Sequence, residues 1–241
     1  MIYNVPVDAF GPLGTRNGDL IAICNIIEWM RKEKNDPSIQ FFLGPGVLNT
    51  EMYVLKFHAF LLQETNYFTL APGKQTLEFH NIGVWDFRDI IGDHVRITNT
   101  RTKEDKVVIF PVYDAQYNVQ RNWSMEIMNV ILDEVRTKYP NHRKIICAKD
   151  IPPQGLFDYT GFEISTDFLE NIEHIMESSV FYGGDTGVSH FASVLDNGPE
   201  LNYIYSSRCL IHTLPFYFLS ERKGNLRTYW LDFVGEARWK I

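Results

Sequence analysis

Three glycines within five residues mark the segment Val180-Phe-Tyr-Gly-Gly-Asp-Thr-Gly-Val-Ser-His190 as the part of this chain best suited to chemistry. An apolar run leads into it and a helix-forming run leaves it. The glycines let the chain turn sharply from strand to helix, and let a phosphate approach the backbone with no Cβ in the way. The segment therefore reads as an anion site that suits a diphosphate. Gly184 and Gly187 give access, Thr186 adds a hydroxyl, Asp185 caps the helix that follows, and His190 stands one turn further in. A strand, glycine turn and helix is also a common tight connection, and a lone helical histidine is commonly a core residue. The motif alone points to a site without naming a reaction.

The flanking elements decide how such a turn would be presented. Apolar residues at Leu20, Ile23, Cys24, Ile27 and Met30 recur at three and four, which predicts a helix over 20–34, ended by Asn35-Asp36-Pro37. A strand over 2–7 precedes it. Apolar runs at 39–43, 67–70 and 77–85 read as extended, and a helix over 50–63 with Thr50 as its cap lies between the first two. The polar stretch 98–106, just before Val107-Val-Ile-Phe-Pro111, marks the expected boundary between domains 1–105 and 106–241. Beyond it, strands over 107–111, 144–148, 179–182 and 201–206 alternate with helices over 124–138, 168–178 and 188–195. Alternation of this kind in both halves predicts an α/β protein with two Rossmann-like domains.

Composition bounds the rest. With 241 residues, 45% hydrophobic and 14% aromatic, the chain can bury a sizeable core. It holds no apolar run of about 18 residues and no leader-like start, so no membrane span and a cytoplasmic location are expected. Cys24, Cys147 and Cys209 are far apart, which suits reduced core thiols. His58, His80, His94, His142, His174 and His212 show no zinc-ligand spacing and read as structural or surface residues. The net charge of −7 argues against a generally basic nucleic-acid coat. From Arg208 onward, however, six Lys or Arg face three acids, which reads as a solvated tail or as a contact for a polyanion.

Three segments in order carry a resemblance. Gly183-Gly-Asp-Thr-Gly-Val-Ser-His-Phe-Ala-Ser193 resembles the donor-site signature of the ADP-heptose:lipopolysaccharide heptosyltransferase family. Asn17-Gly-Asp-Leu-Ile-Ala-Ile-Cys-Asn-Ile-Ile-Glu-Trp29 looks like that family's first Gly-Asp turn and helix. Val107-Val-Ile-Phe-Pro111 through Gln120-Arg-Asn-Trp-Ser124 looks like its first C-domain strand and Lys/Arg-x-Trp segment, with Arg121 where the family usually has lysine. The resemblance implies a GT-B-like fold, two Rossmann-like domains facing a central cleft, with a C-terminal tail returning toward the first domain. It implies sugar transfer from a nucleoside diphosphate sugar as co-substrate, with no other cofactor. Asp19 matches the general base, Arg121 the basic residue near the diphosphate, and Gly184, Asp185, Thr186, Gly187 and His190 the donor turn.

No Asp-x-Asp pair offers a bridging cation site, so an inverting, metal-independent displacement is expected. Two acceptors fit. One is a saccharide or lipid-linked glycan. The other, slightly favoured, is hydroxymethylated cytosine in DNA, because compact GT-B enzymes of tailed phages resemble this chain. Arg96, Arg101, Lys103 and Lys106, with the basic tail, would line its path, and the base would have to flip out of the stack. A non-catalytic nucleotide-sugar binding module is the alternative. A dehydrogenase or epimerase is disfavoured, since no Gly-x-Gly-x-x-Gly follows the first strand.

Overall fold

The computed structural model describes residues 1–7, 9–10, 14–78, 91, 94–111, 123–149, 157–184, 186–206, 225–231 and 237–240. The chain divides into two compact units, Met1–Ile97 and Thr98–Ile241.

In the first unit, β1 (Ile2–Asn4), β2 (Gln40–Phe42), β3 (Phe68–Thr69) and β4 (Gln75–Thr76) form a parallel sheet in the order β3-β2-β1-β4. Parallel neighbours need crossovers, and α1 (Asn17–Lys34) and α2 (Met52–Glu64) supply them. The apolar stripe of α1 is wider than its spacing of three and four suggests. Every residue from Leu20 to Ile27 is buried, including Asn25. That asparagine is satisfied inside the unit, its Oδ1 accepting the backbone N–H groups of His94 (2.5 Å) and Val95 (2.9 Å). The helix stops at Asn35, in the left-handed conformation at φ 48°. α2 starts later than Thr50 would have set it, with Glu51 at its N-cap position. Asn49 explains the delay: its Oδ1 accepts the Glu51 backbone N–H (2.8 Å), an Asx turn that sets the entry angle in place of a threonine cap.

The units join along the chain at β5 (Ile97–Thr98). The second unit then carries β6 (Glu104–Phe110), β7 (Arg143–Cys147), β8 (Glu163–Ser165), β9 (Ser178–Gly183), β10 (Leu195–Asp196), β11 (Glu200–Ser206), β12 (Asn225–Leu231) and β13 (Ala237–Lys240). Its helices are α3 (Met125–Lys138), α4 (Phe168–Glu177) and α5 (Gly187–Val194). The large sheet runs β13-β12-β11-β9-β6-β7-β8, parallel except for β13 at one edge. Numbered within the unit, the six parallel strands stand in the order 3-2-1-4-5-6 of the doubly wound nucleotide-binding fold, and the order reverses between β6 and β9. Ile127, Met128, Ile131, Leu132 and Val135 of α3 pack in one buried cluster with Val107, Ile109, Ile146, Val180, Tyr182 and Ile204 of the strands. Cys24 and Cys147 are buried thiols whose pKa values burial pushes up, as inert core cysteines require. Cys209 lies outside the described residues.

Part of the stretch expected to be a polar linker is strand. β6 begins at Glu104 and contains Lys106, whose side chain is 1% exposed. Its ammonium bonds to Glu177 Oε2 (2.5 Å) and Glu104 Oε2 (3.0 Å), so a charge sits inside the strand because it is paired there. The basic tail supplies β12 and β13, and β8 is a three-residue polar-ended edge strand.

His58 makes the first unit sensitive to pH. It lies buried in α2, its ring edge-on to Phe68 at 5.1 Å, and its Nε2 has no hydrogen-bond partner among the described residues. Burial pushes its pKa down to about 4. Between that value and the ordinary one near 6.5, the unfolded chain binds a proton that the folded chain refuses. Stability is therefore complete above about pH 6.5 and falls as pH drops toward 4, by at most about 3 kcal/mol. In the second unit, half-buried His174 of α4 is shifted in the same direction, chiefly by burial. His58→Phe is expected to flatten most of this limb in denaturant midpoints measured at pH 4.5 and 7. Parallel pH profiles for the two proteins would show that His58 is not its source.

Candidate functional site

In the second unit, Phe110 and Gly183 are register partners at the carboxyl ends of β6 and β9, where the strand order reverses. Ligands of open α/β sheets bind at this crevice. The glycine-rich turn follows directly. Thr186, in extended conformation at φ −139°, is the N-cap of α5, and its Oγ1 accepts the Ser189 backbone N–H (3.2 Å). The Thr186 N–H donates to the Gly184 carbonyl (2.9 Å), and the His190 N–H donates to the Thr186 carbonyl (3.2 Å). The Thr186 backbone donor is thus spent inside the turn. The Gly187 and Val188 N–H groups, in the first turn of α5, have no acceptor among the described residues and are the donors left for an anion. Thr186 and Gly187 are half-buried, whereas Gly184 and His190 are buried. Asp185 and Arg121 lie outside the described residues.

Helix α5 is pinned from below by the Tyr203 hydroxyl of β11, which donates to the Ser189 carbonyl, and within the helix the Ser193 hydroxyl donates to the His190 carbonyl (2.6 Å). Sequence reading missed this tyrosine, since a tyrosine within an apolar strand carries no signal beyond burial. Gly183 lets the helix lie directly on the strand: a Cβ there would stand 2.6 Å from Ser189 Oγ and run into the Phe181 ring, both fully buried. Gly183→Ala is expected to cost about 1–3 kcal/mol by overpacking. At about 2–4 °C per kcal/mol for a chain of this size, thermal denaturation resolves it. An unchanged midpoint would mean that α5 rides free of β9.

In the first unit, Asp19 is the third residue of α1, half-buried, and its Oδ2 accepts the Arg16 backbone N–H (2.8 Å). The carboxylate therefore caps the helix at its positive end. The loop that delivers it is held against the 44–49 turn. The Thr15 N–H donates to the Val47 carbonyl (2.9 Å), and the Asn49 N–H donates to Thr15 Oγ1 (3.3 Å). Gly14, at φ 66°, takes a conformation that L side chains rarely adopt, and a Cβ there would stand 2.9 Å from the Val47 oxygen. Across the strand-order reversal beside β1, the Asn4 amide holds Gly73 with two bonds (2.8 and 3.0 Å).

The basic residues offered as a DNA path are engaged within the protein. Arg101 forms a two-bond pair with Glu173 (2.8 and 2.9 Å), Lys103 donates to the Ser178 carbonyl (2.7 Å), and Lys106 is the buried ion-pair member described above. Arg96 donates to the Val95 carbonyl (2.6 Å). Among the described residues no group of three His, Cys, Asp or Glu could hold a metal ion, and no helix is long and apolar enough to cross a membrane.

No protein-family model and no curated protein matches this sequence. Among solved structures, the crystal structure of the glycosyl transferase family 9 protein from Veillonella parvula is similar, with a TM-score of 0.50 and 10% identity over 95% of this chain and 85% of that chain. At that identity the likeness is one of fold, and the fold is α/β and GT-B-like, built of two Rossmann-like units.

Proposed function

We propose that this chain is a glycosyltransferase that takes a sugar from a nucleoside diphosphate sugar. One observation carries the reading: a glycine turn and helix N-terminus sit at the strand-order reversal of a 3-2-1-4-5-6 sheet, in a chain whose fold resembles that of a glycosyl transferase family 9 protein. In this account the Gly187 and Val188 N–H groups and the dipole of α5 hold the diphosphate, with the Thr186 hydroxyl beside them. Arg121 and Asp185 complete the donor site as the sequence suggests. Asp19 of the first unit is the general base.

The step is a displacement with inversion. The acceptor O–H bond breaks and its proton passes to the Asp19 carboxylate. A new bond joins the acceptor oxygen to the anomeric carbon, while the bond from that carbon to the diphosphate oxygen breaks and leaves its electron pair on the diphosphate. Preorganised donors aimed at that developing charge are typically worth about 3 kcal/mol each, and no bridging cation is required. With Arg101, Lys103 and Lys106 committed to internal partners, three of the basic residues of the expected DNA path are engaged, which favours a saccharide hydroxyl as acceptor.

The test is release of nucleoside diphosphate from UDP-, ADP-, GDP- and CDP-sugars, alone and with saccharides or hydroxymethylcytosine DNA. The expected result is consumption of one nucleotide sugar, accelerated by a saccharide. Binding of a nucleotide with no release under any condition would favour a non-catalytic binding module.

A further inference from the structure

We infer that the indole N–H of Trp123 is a further ligand-binding donor of the second unit, giving its hydrogen bond to an oxygen of the bound diphosphate. The inference rests on the donor-site reading above and adds a residue to it. Trp123 is 6% exposed, and its buried Nε1 has no hydrogen-bond acceptor among the described residues. An indole nitrogen is a donor only, so water or protein can satisfy it in one way alone. A buried donor with no acceptor is unfavourable in a folded protein, so its presence calls for a partner.

Its place in the fold suggests what would satisfy it. Trp123 directly precedes Ser124, the N-cap of α3, whose hydroxyl accepts the Ile127 backbone N–H (3.2 Å). It belongs to the same core cluster as Ile109 and Tyr182, and these are register partners one residue before the Phe110 and Gly183 pair. Side chains alternate along strands, so Tyr182 and Ile204 face α3 while Phe181, Gly183 and Tyr203 face α5. The start of α3 and the start of α5 therefore flank the same carboxyl edge from opposite faces of the sheet. Trp123 itself, packed with Ile109 and Tyr182 one residue before the N-cap of α3, lies on the α3 side of the edge from which the glycine turn leaves. A diphosphate bridging that edge presents anionic oxygens to both sides, and a charged acceptor makes the stronger bond with a buried N–H.

Trp123→Phe keeps a ring in the cluster and removes the N–H. Titrations of wild type and variant with UDP, ADP, GDP, CDP, inorganic pyrophosphate and the free nucleosides provide the test. The expected result is a weakening of about tenfold or more for the preferred nucleoside diphosphate and for pyrophosphate, with nucleoside binding and the thermal midpoint little changed. In wild type, the indole ¹⁵N–¹H signal with contacts to Ile109 and Tyr182 should move downfield on adding the diphosphate. This readout does not depend on the variant folding. Equal diphosphate binding by both proteins, with that signal unmoved, overturns the inference and leaves the glycosyltransferase reading standing. Equal losses for nucleoside and diphosphate also overturn it, because the contact would then not be to phosphate. If wild type binds no nucleoside diphosphate, both readings fail together.

Discussion

Asp19→Asn is expected to slow sugar transfer by about 10²- to 10⁴-fold, the usual contribution of a general base, while nucleotide binding and folding stay close to wild type. The carboxylate has two tasks in this account, and the substitution separates them. As a cap, Asp19 accepts the Arg16 N–H, and an asparagine oxygen can accept it too. What the cap loses is the charge at the helix N-terminus, about 0.3–1 kcal/mol. As a base, the residue needs a carboxylate that can take a proton, which an amide cannot do. A large fall in kcat with a small change in Tm is the expected pattern. Asp19→Ala, which removes the cap as well, should lower both. Transfer at the wild-type rate by Asp19→Asn would leave Asp19 as a helix cap and nothing more.

Gly187→Asp is expected to abolish nucleoside diphosphate binding, a loss of at least 100-fold, without destabilising the fold. The position is the first residue of α5 and half-buried. A carboxylate there meets the positive end of the helix, which favours the folded state by up to about 1 kcal/mol. It also places a negative charge among the very donors assigned to the phosphates. Like charges at close range oppose binding far more than a lost contact does. Stability and binding should thus move in opposite directions, a signature that general disruption of the turn cannot imitate.

Much of this protein was legible because period and turn chemistry agree. The apolar spacing of α3, the Asn35 stop of α1 and the glycines at 183–187 each say locally what the sheet later requires. The parts that were not legible share a physical cause, namely satisfaction by distant partners. Lys106 reads as linker until Glu104 and Glu177 are seen to pair with it. The run Leu226-Arg-Thr-Tyr-Trp230 reads as part of a basic tail because the Lys and Arg residues of the whole stretch from Arg208 onward mask a strand that pairs with β11. At the site, spacing located the turn, but it could not show that the Thr186 N–H is spent on the Gly184 carbonyl.

The most direct test of the central claim is calorimetric titration of nucleoside diphosphates into wild type and Gly187→Asp. The account predicts that one nucleoside diphosphate binds wild type and raises its Tm, as any ligand specific for the folded state must, and that Gly187→Asp, though folded, does not bind it. Binding of equal strength to both proteins would place the nucleotide elsewhere, and no binding to wild type would contradict the donor site altogether.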